Sequence, residues 1–459
     1  MSGDVTIVIL AAGLGTRMKS NTAKVLHRAG GFSLVEHVAR TAATQAAPDR
    51  TIVVTGHQAE RVEGVLAPYG VRFARQTEQK GTGHALLVTQ GQAPRDGLLV
   101  VLYGDCPLLS PRTLAGLLER HRASGVSATV ITAMLEDPTG LGRIVLDAQG
   151  DLEAIVEQKA ATPAQLAINE INSGIYCFDA ALLWKHIGEI GTNNPAREYY
   201  LTDIVRIFRG HGQRVATLRL DDPKEIFGIN TKVELATVDQ IFRERKTREL
   251  MLAGVTIEKP ETVTIDLDVT VGADTLIEPF AQLRGQCVVG AGCRIGSGSI
   301  LENTTVGDEV ELHPYTLIQS CVVENKAHIG PFARLRMNAH VETGAHIGNF
   351  VELKKTRLGA GSKSMHLAYL GDSTIGSKVN IGAGTITCNY DGRVKSPTKI
   401  GDGVFVGSNS TLVAPLELAA GSYVGAGSVI TDNVPAEALA LGRGRQVVKE
   451  GWVTKRRGG

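Results

Sequence analysis

The sequence lacks an excess of charge of either sign. Its 48 lysine and arginine residues are balanced by 47 aspartate and glutamate residues, which gives a formal net charge of +1. The two signs are mixed along the chain, so the sequence predicts no basic face or stripe of the kind that binds a nucleic-acid backbone. We therefore expect no nucleic-acid partner.

Long apolar runs and paired cysteines are also missing. The run LLVVL at 98–102 is among the longest, and a membrane-spanning helix needs about 20 apolar residues. No basic segment followed by an apolar core opens the chain, so we expect no signal peptide and no membrane partner. The six cysteines show neither a C-x-x-C pair nor zinc-ligand spacing. This pattern favours a reducing, cytoplasmic setting.

Aromatic residues are few, at 5%, whereas glycine is abundant, with 53 residues in a chain of 459. A chain of this length is too long for a single hydrophobic core, so at least two domains are expected.

The first half alternates short aliphatic runs with amphipathic stretches. Runs that resemble buried parallel strands occur at 6–10, 51–56, 97–105 and 128–134. Helical stretches lie at 32–45 and 110–125, and in the second Ser110 can cap the helix while Pro111 suits its first position. This alternation predicts an open α/β domain over 1–229, with ligands at the carboxyl ends of its strands.

A polar helical segment follows and is interpreted as a linker helix over 230–253. Val233, Ala236, Ile241 and Leu250 form a patchy apolar stripe along it. At 1.5 Å per residue this helix would be roughly 30 Å long.

From about residue 254 to 440 aliphatic residues recur at every sixth position. One series runs from Ile265 to Leu301, and others cover 306–318, 323–353 and 400–430, with glycine often next to the aliphatic residue. A period of six is typical of a parallel β-helix, in which each aliphatic side chain fills one corner of a prism. An ordinary β-sandwich would instead show a period of two. Residues 441–459 form a basic tail.

The opening segment VTIVILAAGLGTRMKSNTAKVL contains a strand followed by a glycine-containing loop. It has no Walker motif, and Gly13-x-Gly15 lacks the third glycine of a dinucleotide-binding fingerprint. What remains is a loop of free backbone N–H groups with two cations, Arg17 and Lys24. Such a loop can cradle phosphates, and its cations can neutralise a departing anion.

This segment resembles the signature of the sugar-nucleotide pyrophosphorylases, L-A-A-G-x-G-T-R-M followed by lysine. Further matches occur in order along the chain: QTEQKGTGHA (76–85), LYGDCPLL (102–109), GLGRIV (140–145), IVEQK (155–159), EINSGIY (170–176), NPAREYYLTD (194–203) and GIN (228–230). With the hexapeptide half, the whole chain is similar to the bifunctional N-acetylglucosamine-1-phosphate uridylyltransferase/glucosamine-1-phosphate acetyltransferase family. The resemblance implies a Rossmann-like nucleotidyltransferase domain with a mostly parallel sheet, then an all-β left-handed parallel β-helix.

The resemblance implies a uridylyltransferase site in the first domain, with UTP and N-acetylglucosamine-1-phosphate as substrates. Arg17 and Lys24 would be catalytic, and Asp105 and Asn230 would hold Mg²⁺. The residues implied to contact uridine, phosphate or sugar are Leu10, Ala11, Ala12, Gly13, Lys24, Gln76, Gly81, Thr82, Tyr103, Gly104, Asp105, Gly140, Glu157, Asn172 and Asn230. We expect Glu157 to contact a hydroxyl group rather than act as a base, because a sugar phosphate is already anionic.

Three features of the β-helix half point to a second site. Arg336 and Lys354 lie one coil apart and should stack about 4.8 Å apart, where their repulsion favours a bridging anion such as a sugar phosphate. The segment GSKSMHLAYLGD (361–372) is expected to interrupt the six-residue step and bring His366 and Tyr369 together. The segment 384–399 is expected to be a long inserted loop, and such insertions often form a binding face.

The resemblance implies that His366 removes the proton of the attacking amine, a task that suits a histidine near neutral pH. It implies sugar-phosphate contacts for Arg336, Lys354, Tyr369 and Asn380, and acetyl-CoA contacts for Ala383, Asn389, Tyr390, Ser408, Ala426 and Arg443. It also implies a homotrimer. Two departures, Met337-Asn338 in place of Pro-Gly and Met365 before His366, are expected to affect only this pocket.

Two alternatives remain open. One is a single-activity sugar-1-phosphate nucleotidyltransferase whose β-helix serves assembly or regulation. The other is a non-enzymatic module that senses UDP-sugars. A β-helix without a site would favour the first, and loss of Asp105, Asn230, Arg17 or Lys24 would favour the second.

Overall fold

The computed structural model describes residues 5–457, so residues 1–4 of the predicted first domain and 458–459 of the predicted tail lie outside it. The chain divides into two compact units, 1–240 and 241–459. Within the described part of the chain, no helix combines the length and the apolar character needed to cross a lipid bilayer.

The first unit is an α/β domain. Its α-helices are α1 (Leu34–Ala42), α2 (Ala59–Leu66), α3 (Thr82–Leu87), α4 (Pro111–Ser124), α5 (Pro163–Leu166), α6 (Ala180–His186) and α7 (Asp203–Gly210). Its strands are β1 (Val5–Leu10), β2 (Arg28–Ala29), β3 (Phe32–Ser33), β4 (Thr51–Thr55), β5 (Arg72–Arg75), β6 (Leu98–Tyr103), β7 (Ala128–Met134), β8 (Arg143–Leu146), β9 (Leu152–Val156), β10 (Glu170–Asp179) and β11 (Val215–Arg219).

The main sheet of this unit is mixed but mostly parallel along its central path. Strand order is β11-β7-β10-β6-β1-β4-β5, and β8 and β9 form a side branch on β10. Strands β6, β1, β4 and β5 run parallel, whereas β10 is antiparallel to both β6 and β7. The central strands are buried along their length, as parallel strands covered on both faces must be. This confirms the predicted α/β fold.

Helix α4 shows how local sequence sets an element's start. The Ser110 side chain accepts a hydrogen bond from the Thr113 backbone N–H, and Pro111 occupies the first turn. Gly125, in the left-handed region with φ of 57°, ends the helix, where a residue with a side chain would be strained. The predicted cap and its proline are confirmed.

The predicted linker segment is a single helix, α8 (Lys232–Leu252), and the boundary between the two units falls within it. Its apolar stripe differs from the prediction. Val233 is 77% exposed and Ala236 is exposed, whereas Val238 and Phe242 are buried together with Leu250. The prediction was wrong for Val233 and Ala236 because a patchy pattern fits more than one face of a helix.

The second unit is built from strands of two to four residues and ends in helix α9 (Trp452–Arg457). The strands are β12 (Thr256–Ile257), β13 (Thr264–Ile265), β14 (Thr270–Val271), β15 (Leu276–Ile277), β16 (Gln282–Arg284), β17 (Val288–Val289), β18 (Arg294–Ile295), β19 (Ile300–Glu302), β20 (Thr305–Val306), β21 (Glu311–Leu312), β22 (Leu317–Gln319), β23 (Val322–Val323), β24 (His328–Ile329), β25 (Arg334–Arg336), β26 (His340–Val341), β27 (His346–Asn349), β28 (Glu352–Lys354), β29 (Arg357–Leu358), β30 (Lys363–His366), β31 (Tyr369–Gly371), β32 (Ser373–Ile375), β33 (Asn380–Ile381), β34 (Ile386–Cys388), β35 (Thr398–Ile400), β36 (Phe405–Val406), β37 (Thr411–Val413), β38 (Leu416–Leu418), β39 (Tyr423–Val424), β40 (Val429–Ile430) and β41 (Leu439–Ala440).

These strands form three parallel sheets that are the three sides of a left-handed β-helix. From β12 to β37 each strand pairs with the strand three positions later, so every coil contributes one strand to each sheet. Ile277, for example, pairs with Ile295, and Leu283 pairs with Leu301. The predicted hexapeptide residues therefore stack in columns, and all of them are buried except Val271, which is partly buried. The predicted β-helix is confirmed.

Two details of the predicted coil were wrong. The segment 361–372 does not interrupt the six-residue step, because Ser364 takes the aliphatic position and pairs with Ile347 below and Ile381 above. The inserted loop is also shorter than 384–399. Strand β34 forms at its start and β35 at its end, so the loop covers 389–397. Serine at the core position and threonine at 387 concealed the period from a search for aliphatic residues.

Ser364 and Ser362 offer a matched test of core polarity. Ser362 Oγ donates to Gly376 O (2.7 Å) and accepts from Val379 N (2.9 Å), whereas Ser364 Oγ is buried without a hydrogen-bond partner. We expect Ser362→Ala to lower the free energy of unfolding of these coils by about 1–3 kcal/mol, because two buried backbone groups lose their partner. Ser364→Ala should leave it unchanged or raise it by up to about 1 kcal/mol.

The measurement is hydrogen exchange of peptides covering residues 345–381 in the full chain under rising urea. It reports the opening of these coils independently of the α/β unit. An equal destabilisation by both variants would contradict the expected difference.

Candidate active sites

The first candidate site lies at the carboxyl ends of two adjacent parallel strands. Leu10 at the end of β1 pairs with Tyr103 at the end of β6, and Gly104 N donates to Leu10 O (3.0 Å). The loops that leave the two strands therefore start side by side. This is the edge where ligands bind in open α/β sheets.

Two cations from the opening loop converge here on Asp105 and Asn230. Lys24 Nζ donates to Asp105 Oδ2 and, at 3.2 Å, to Asn230 Oδ1. An Arg17 guanidinium N–H donates to the same amide oxygen at 2.8 Å. Asn230 Nδ2 donates to Gly228 O, which orients the amide oxygen towards the cations. The structure thus brings together the four residues that the sequence singled out.

A cavity of about 360 Å³ surrounds this cluster. The predicted residues that line it are Leu10, Ala11, Ala12, Gly13, Arg17, Lys24, Gln76, Gly81, Thr82, Tyr103, Asp105 and Asn230. Gln79 and Glu198 also line it and were not identified from the sequence. Glu198 precedes Tyr199, whose backbone bonds to residues 80 and 83, but no sequence pattern links residues so far apart.

Gly81 lets two segments meet at the wall of this cavity. Its φ is 108°, and a Cβ atom there would lie 2.6 Å from Tyr199 O. The position therefore requires glycine, both for its backbone conformation and for the close approach. The Gln76 amide donates to Gly81 O (3.1 Å), and Leu201 N donates to the Thr82 hydroxyl (3.1 Å).

Two other predicted residues, Gly140 and Glu157, line a second cavity of about 800 Å³. Asn172 lies near Glu157, since each has an atom within 4 Å of the point that a Cβ atom on Gly142 would occupy. Burial raises the pKa of Glu157, and the charge of Asp203 raises it further. Burial likewise raises the pKa of Tyr103, with smaller contributions from Asp105 and Glu157. Tyr103 is therefore close to both groups.

The second candidate site lies on the β-helix. Arg336 and Lys354 are paired across β25 and β28, as their spacing predicts. Each is compensated by a carboxylate: an Arg336 guanidinium N–H donates to Glu352 (2.6 Å) and Lys354 Nζ donates to Asp372 (2.8 Å). Repulsion between Arg336 and Lys354 therefore does not by itself call for a bridging anion, because each charge already has a partner within the chain.

Lys354 belongs to a buried polar cluster. Asp372 also accepts a hydrogen bond from the Asn389 amide, and the Asn389 amide and the Tyr369 hydroxyl both lie beside Gly371. Burial alone would raise the pKa of Asp372, but hydrogen bonds from Lys354 and Asn389 outweigh it and lower the pKa. The hydrogen bond to Asp372 raises the pKa of Lys354. Both groups are thus held in their charged forms.

Asp372 was missed from the sequence, although the coil period could have found it. It lies 18 residues after Lys354, which is the spacing that separates Lys354 from Arg336. Glu352, the partner of Arg336, was missed as well. Lys354 pairs with Gly371 on the next coil, so the coil register places Asp372 directly after the partner of Lys354.

His366 is exposed at the end of β30, directly before the corner that leads to Tyr369. Its Nδ1 is 2.8 Å from Asn349 Oδ1, and the two residues are paired across β27 and β30. Because the amide oxygen is an acceptor, Nδ1 carries the proton and Nε2 is left with a lone pair. Asn349 was not identified from the sequence.

Four of the residues implied for acetyl-CoA form a column one coil apart. Ala383 O accepts from the residue after Ser408, and Ser408 O accepts from the residue after Ala426. An Arg443 guanidinium N–H donates to Ala426 O (2.8 Å). Gly384 N bonds to His366 O (3.4 Å), so the column continues to the histidine.

The remaining residues implied for this half lie around the column. Tyr390 is 58% exposed in the inserted loop, with its hydroxyl bonded to Gly392 O. Asn380 begins β33 beside Lys363 and is not in register with His366. Met337 and Asn338, which depart from the family pattern, both adopt left-handed backbone conformations, and the Met337 sulfur accepts from Arg336 at 3.3 Å.

Comparison with known proteins supports the predicted domain type of each half of the chain. Residues 7–160 match the MobA-like NTP transferase domain, and 268–303 and 397–432 match the bacterial transferase hexapeptide repeat. The bifunctional protein GlmU of Solibacter usitatus is 56% identical over 458 residues, covering 100% of this chain and 98% of that protein. Those of Koribacter versatilis and Trichlorobacter lovleyi are 50% and 46% identical, covering 98% of this chain and 97% and 98% of theirs.

These matches run along the whole chain at identities far above those of unrelated folds, and they confirm the resemblance that the motifs indicated. The chain therefore belongs to the GlmU family of bifunctional proteins, which combine uridylyl transfer and acetyl transfer in the synthesis of UDP-N-acetylglucosamine.

Proposed function

We propose that each unit carries one active site. The β-helix transfers acetyl from acetyl-CoA to glucosamine-1-phosphate, and the α/β unit transfers uridylyl from UTP to the product, N-acetylglucosamine-1-phosphate, with release of pyrophosphate. The observation that carries this proposal is the convergence of Arg17, Lys24, Asp105 and Asn230 in a cavity at the sheet edge, together with the separate column that contains His366.

In the uridylyl site an anionic sugar phosphate must attack the α-phosphorus of UTP. The new P–O bond forms as the bond to pyrophosphate breaks, so positioning and charge neutralisation carry the reaction. Lys24 and Arg17 reach into the cavity and would neutralise the phosphates, while backbone N–H groups of residues 12 and 13 would cradle them. No protein nucleophile is required.

The residues Asp105 and Asn230 suit Mg²⁺, which prefers oxygen ligands. The ammonium group of Lys24 contacts Asp105 Oδ2 and Asn230 Oδ1, so the two oxygens already converge on a single positive charge. When bound, the ion would supply charge neutralisation on the phosphates. Lys24 would then exchange its contacts with these oxygens for contacts with substrate.

The sugar would occupy the side of the site formed by Tyr103, Gly140, Glu157 and Asn172. Glu157 has a raised pKa because it is buried and near Asp203. We assign it a hydrogen bond to a sugar hydroxyl, since the attacking phosphate needs no base. Gln76, Gly81, Thr82 and Gly104 would hold uridine and the phosphates.

In the acetyl site the amine of glucosamine-1-phosphate attacks the thioester carbonyl. A C–N bond forms and the C–S bond breaks. The amine proton passes to His366 Nε2, which then donates it to the departing sulfur, so coenzyme A leaves as the thiol. Asn349 fixes the histidine tautomer that this step needs. Arg336, Lys354, Tyr369 and Asn380 would bind the sugar phosphate.

Acetyl-CoA would lie along the column from His366 to Arg443. Ala383, Ser408 and Ala426 present small side chains there, and Arg443 supplies a positive charge. Asn389 and Tyr390 of the inserted loop would add further contacts to the co-substrate. Small residues leave room for a long, narrow co-substrate.

We propose a homotrimer as the working assembly. Exposed apolar side chains form a ladder on the corner beside His366: Tyr315, Phe332 and Phe350 stack with ring centroids 5.2 and 5.4 Å apart, and Leu367 follows at 61% exposure. An apolar ladder of this length favours burial against another copy of the chain. Neighbouring copies would then close the exposed side of the acetyl site.

We further propose the division 1–229, 230–253, 254–440 and 441–459, and a cytoplasmic location with small molecules as the substrates. All six cysteines lie among the described residues and none forms a disulfide, which supports a reducing compartment.

Asp105→Ala should abolish the magnesium-dependent step, lowering the rate of pyrophosphate release at least about a hundredfold. Release of coenzyme A thiol from acetyl-CoA should stay at the parent rate, since the acetyl site lies in the other unit. Both rates are measured on the full chain. The control is Asp49→Ala, an exposed aspartate of the same unit, and an equal loss in both assays would indicate misfolding instead.

His366→Ala should lower the rate of glucosamine-1-phosphate-dependent thiol release by about two to four orders of magnitude and leave pyrophosphate release unchanged. Asn349→Ala should cause a smaller loss and alter the pH profile of kcat, because the ring is no longer held in one tautomer. His340→Ala, a histidine paired with Glu324 on another face, is the matched control.

If the parent chain never consumes acetyl-CoA, the single-activity nucleotidyltransferase is the correct reading. If neither product is released, the UDP-sugar sensor is favoured.

Phe332→Glu should dissociate the oligomer in analytical ultracentrifugation and remove acetyl transfer while uridylyl transfer remains, because it places a charge within the apolar ladder. Val322→Glu, at a similarly exposed apolar position on a different face, should leave the assembly intact. An unchanged sedimentation coefficient for Phe332→Glu would contradict the assigned interface.

A further inference from the structure

A histidine–carboxylate cluster lies in the first unit, among residues to which neither proposed site assigns a role. His186 Nδ1 is 2.6 Å from Glu189 Oε1, and His211 Nε2 is 3.0 Å from Glu189 Oε2. The three potential ligand atoms all lie within 4.8 Å of one another, and the two imidazole rings have centroids 4.2 Å apart.

The cluster sits where two helices end. His186 is the last residue of α6, and His211 caps the carboxyl end of α7. The carboxyl end of a helix carries partial negative charge, so two such ends and the Glu189 carboxylate together favour a cation. The side chain of His186 is only 5% exposed and packs against Phe208, which fixes one ligand in place.

We propose that His186, Glu189 and His211 bind one divalent transition-metal ion, such as Zn²⁺. Two imidazole nitrogens and one carboxylate oxygen are a ligand set that this ion prefers, at 2.0–2.2 Å per ligand. Ligands at that distance in a tetrahedral site lie about 3.4 Å from each other. The two histidine–carboxylate separations, 2.6 and 3.0 Å, are shorter than this value, and all the ligand atoms lie within 4.8 Å of one another. Small side-chain movements therefore suffice, and water completes the coordination.

The β-helix contains a second group of this composition, Glu311, His313 and His328, which is less suited to a metal. All three side chains are at least 32% exposed, and the closest approach of His313 to Glu311 is 4.0 Å. Arg294 also lies 3.8 Å from Glu311 and competes for its carboxylate. This second group could still bind some metal, so it is disrupted by substitution before the number of metal ions per chain is measured.

The proposed metal would affect the wall of the larger cavity. The segment between α6 and α7 contributes Glu189, Gly191, Asn193 and Asn194 to that wall. An ion bound to His186, Glu189 and His211 would tie the start of this segment to the carboxyl end of α7 and so limit its opening. Hydrogen exchange of residues 187–202 should therefore slow when the metal binds.

The test uses the full chain with His328→Gln as background, titrated with Zn²⁺ by calorimetry in excess Mg²⁺, which occupies sites made only of oxygen ligands. We expect one Zn²⁺ per chain. When His211→Gln or Glu189→Gln is added to the background chain, no Zn²⁺ should bind at the concentrations that saturate the background chain. His340→Gln, which breaks a histidine–carboxylate pair that lacks a third ligand, should keep it.

Co²⁺ supplies an independent readout, because its visible absorption spectrum reports coordination number. Binding should also weaken as the pH falls, because protons compete with the metal for the imidazole nitrogens. Absence of Zn²⁺ binding in the background chain would overturn the proposal. Equal binding by the His211→Gln chain, with unchanged exchange at 187–202, would overturn it as well.

Discussion

Parallel pairing of strands is the constraint on which both halves of this protein depend. In the first unit it sets Leu10 of β1 against Tyr103 of β6 and so aligns the two loops that carry the polar residues. In the second unit it sets Arg336 against Lys354 and Asn349 against His366. Parallel strands cannot be joined by a tight turn. Residues far apart in sequence are therefore brought together by backbone hydrogen bonds, before any side chain contributes.

Each proposed site pairs a lysine with a carboxylate of the chain itself. Lys24 and Asp105 are each 15% exposed, and Lys354 and Asp372 are 7% and 12% exposed, so neither cation could be left unpaired without a large desolvation cost. The pairing keeps each ammonium group oriented in the absence of substrate. It also sets a threshold for binding, since an incoming anion must compete with a carboxylate already in place. Phosphates with several charged oxygens can do so, whereas singly charged anions are at a disadvantage.

The fold and the main residues of the first site could be predicted because each left a local signal. Strand β7 follows the predicted run at 128–134 residue for residue, and the helix cap at Ser110 depends on neighbouring residues only. The carboxylate partners left no such signal. Asp372 becomes visible only after the coil register is known, and Glu198 reaches its cavity through a loop of no fixed period. The prediction that segment 361–372 interrupts the six-residue step failed at Ser364. A residue fills the core position because it lies in the column, and a polar side chain such as serine can occupy it.

The β-helix separates stability from function by position within the coil. Each face of a coil buries an aliphatic side chain and, two residues earlier, a second inward side chain, as Ala281 and Leu283 show. The outward and corner positions are left free to change. The inserted loop at 389–397 illustrates this freedom: Ile375 pairs with Ile400 and Thr387 with Leu412, so the columns continue in register above the insertion. Lengthening a surface loop costs little, because closure entropy grows only with the logarithm of loop length. A catalytic corner can therefore be added to such a prism without a change in the packing that holds the prism together.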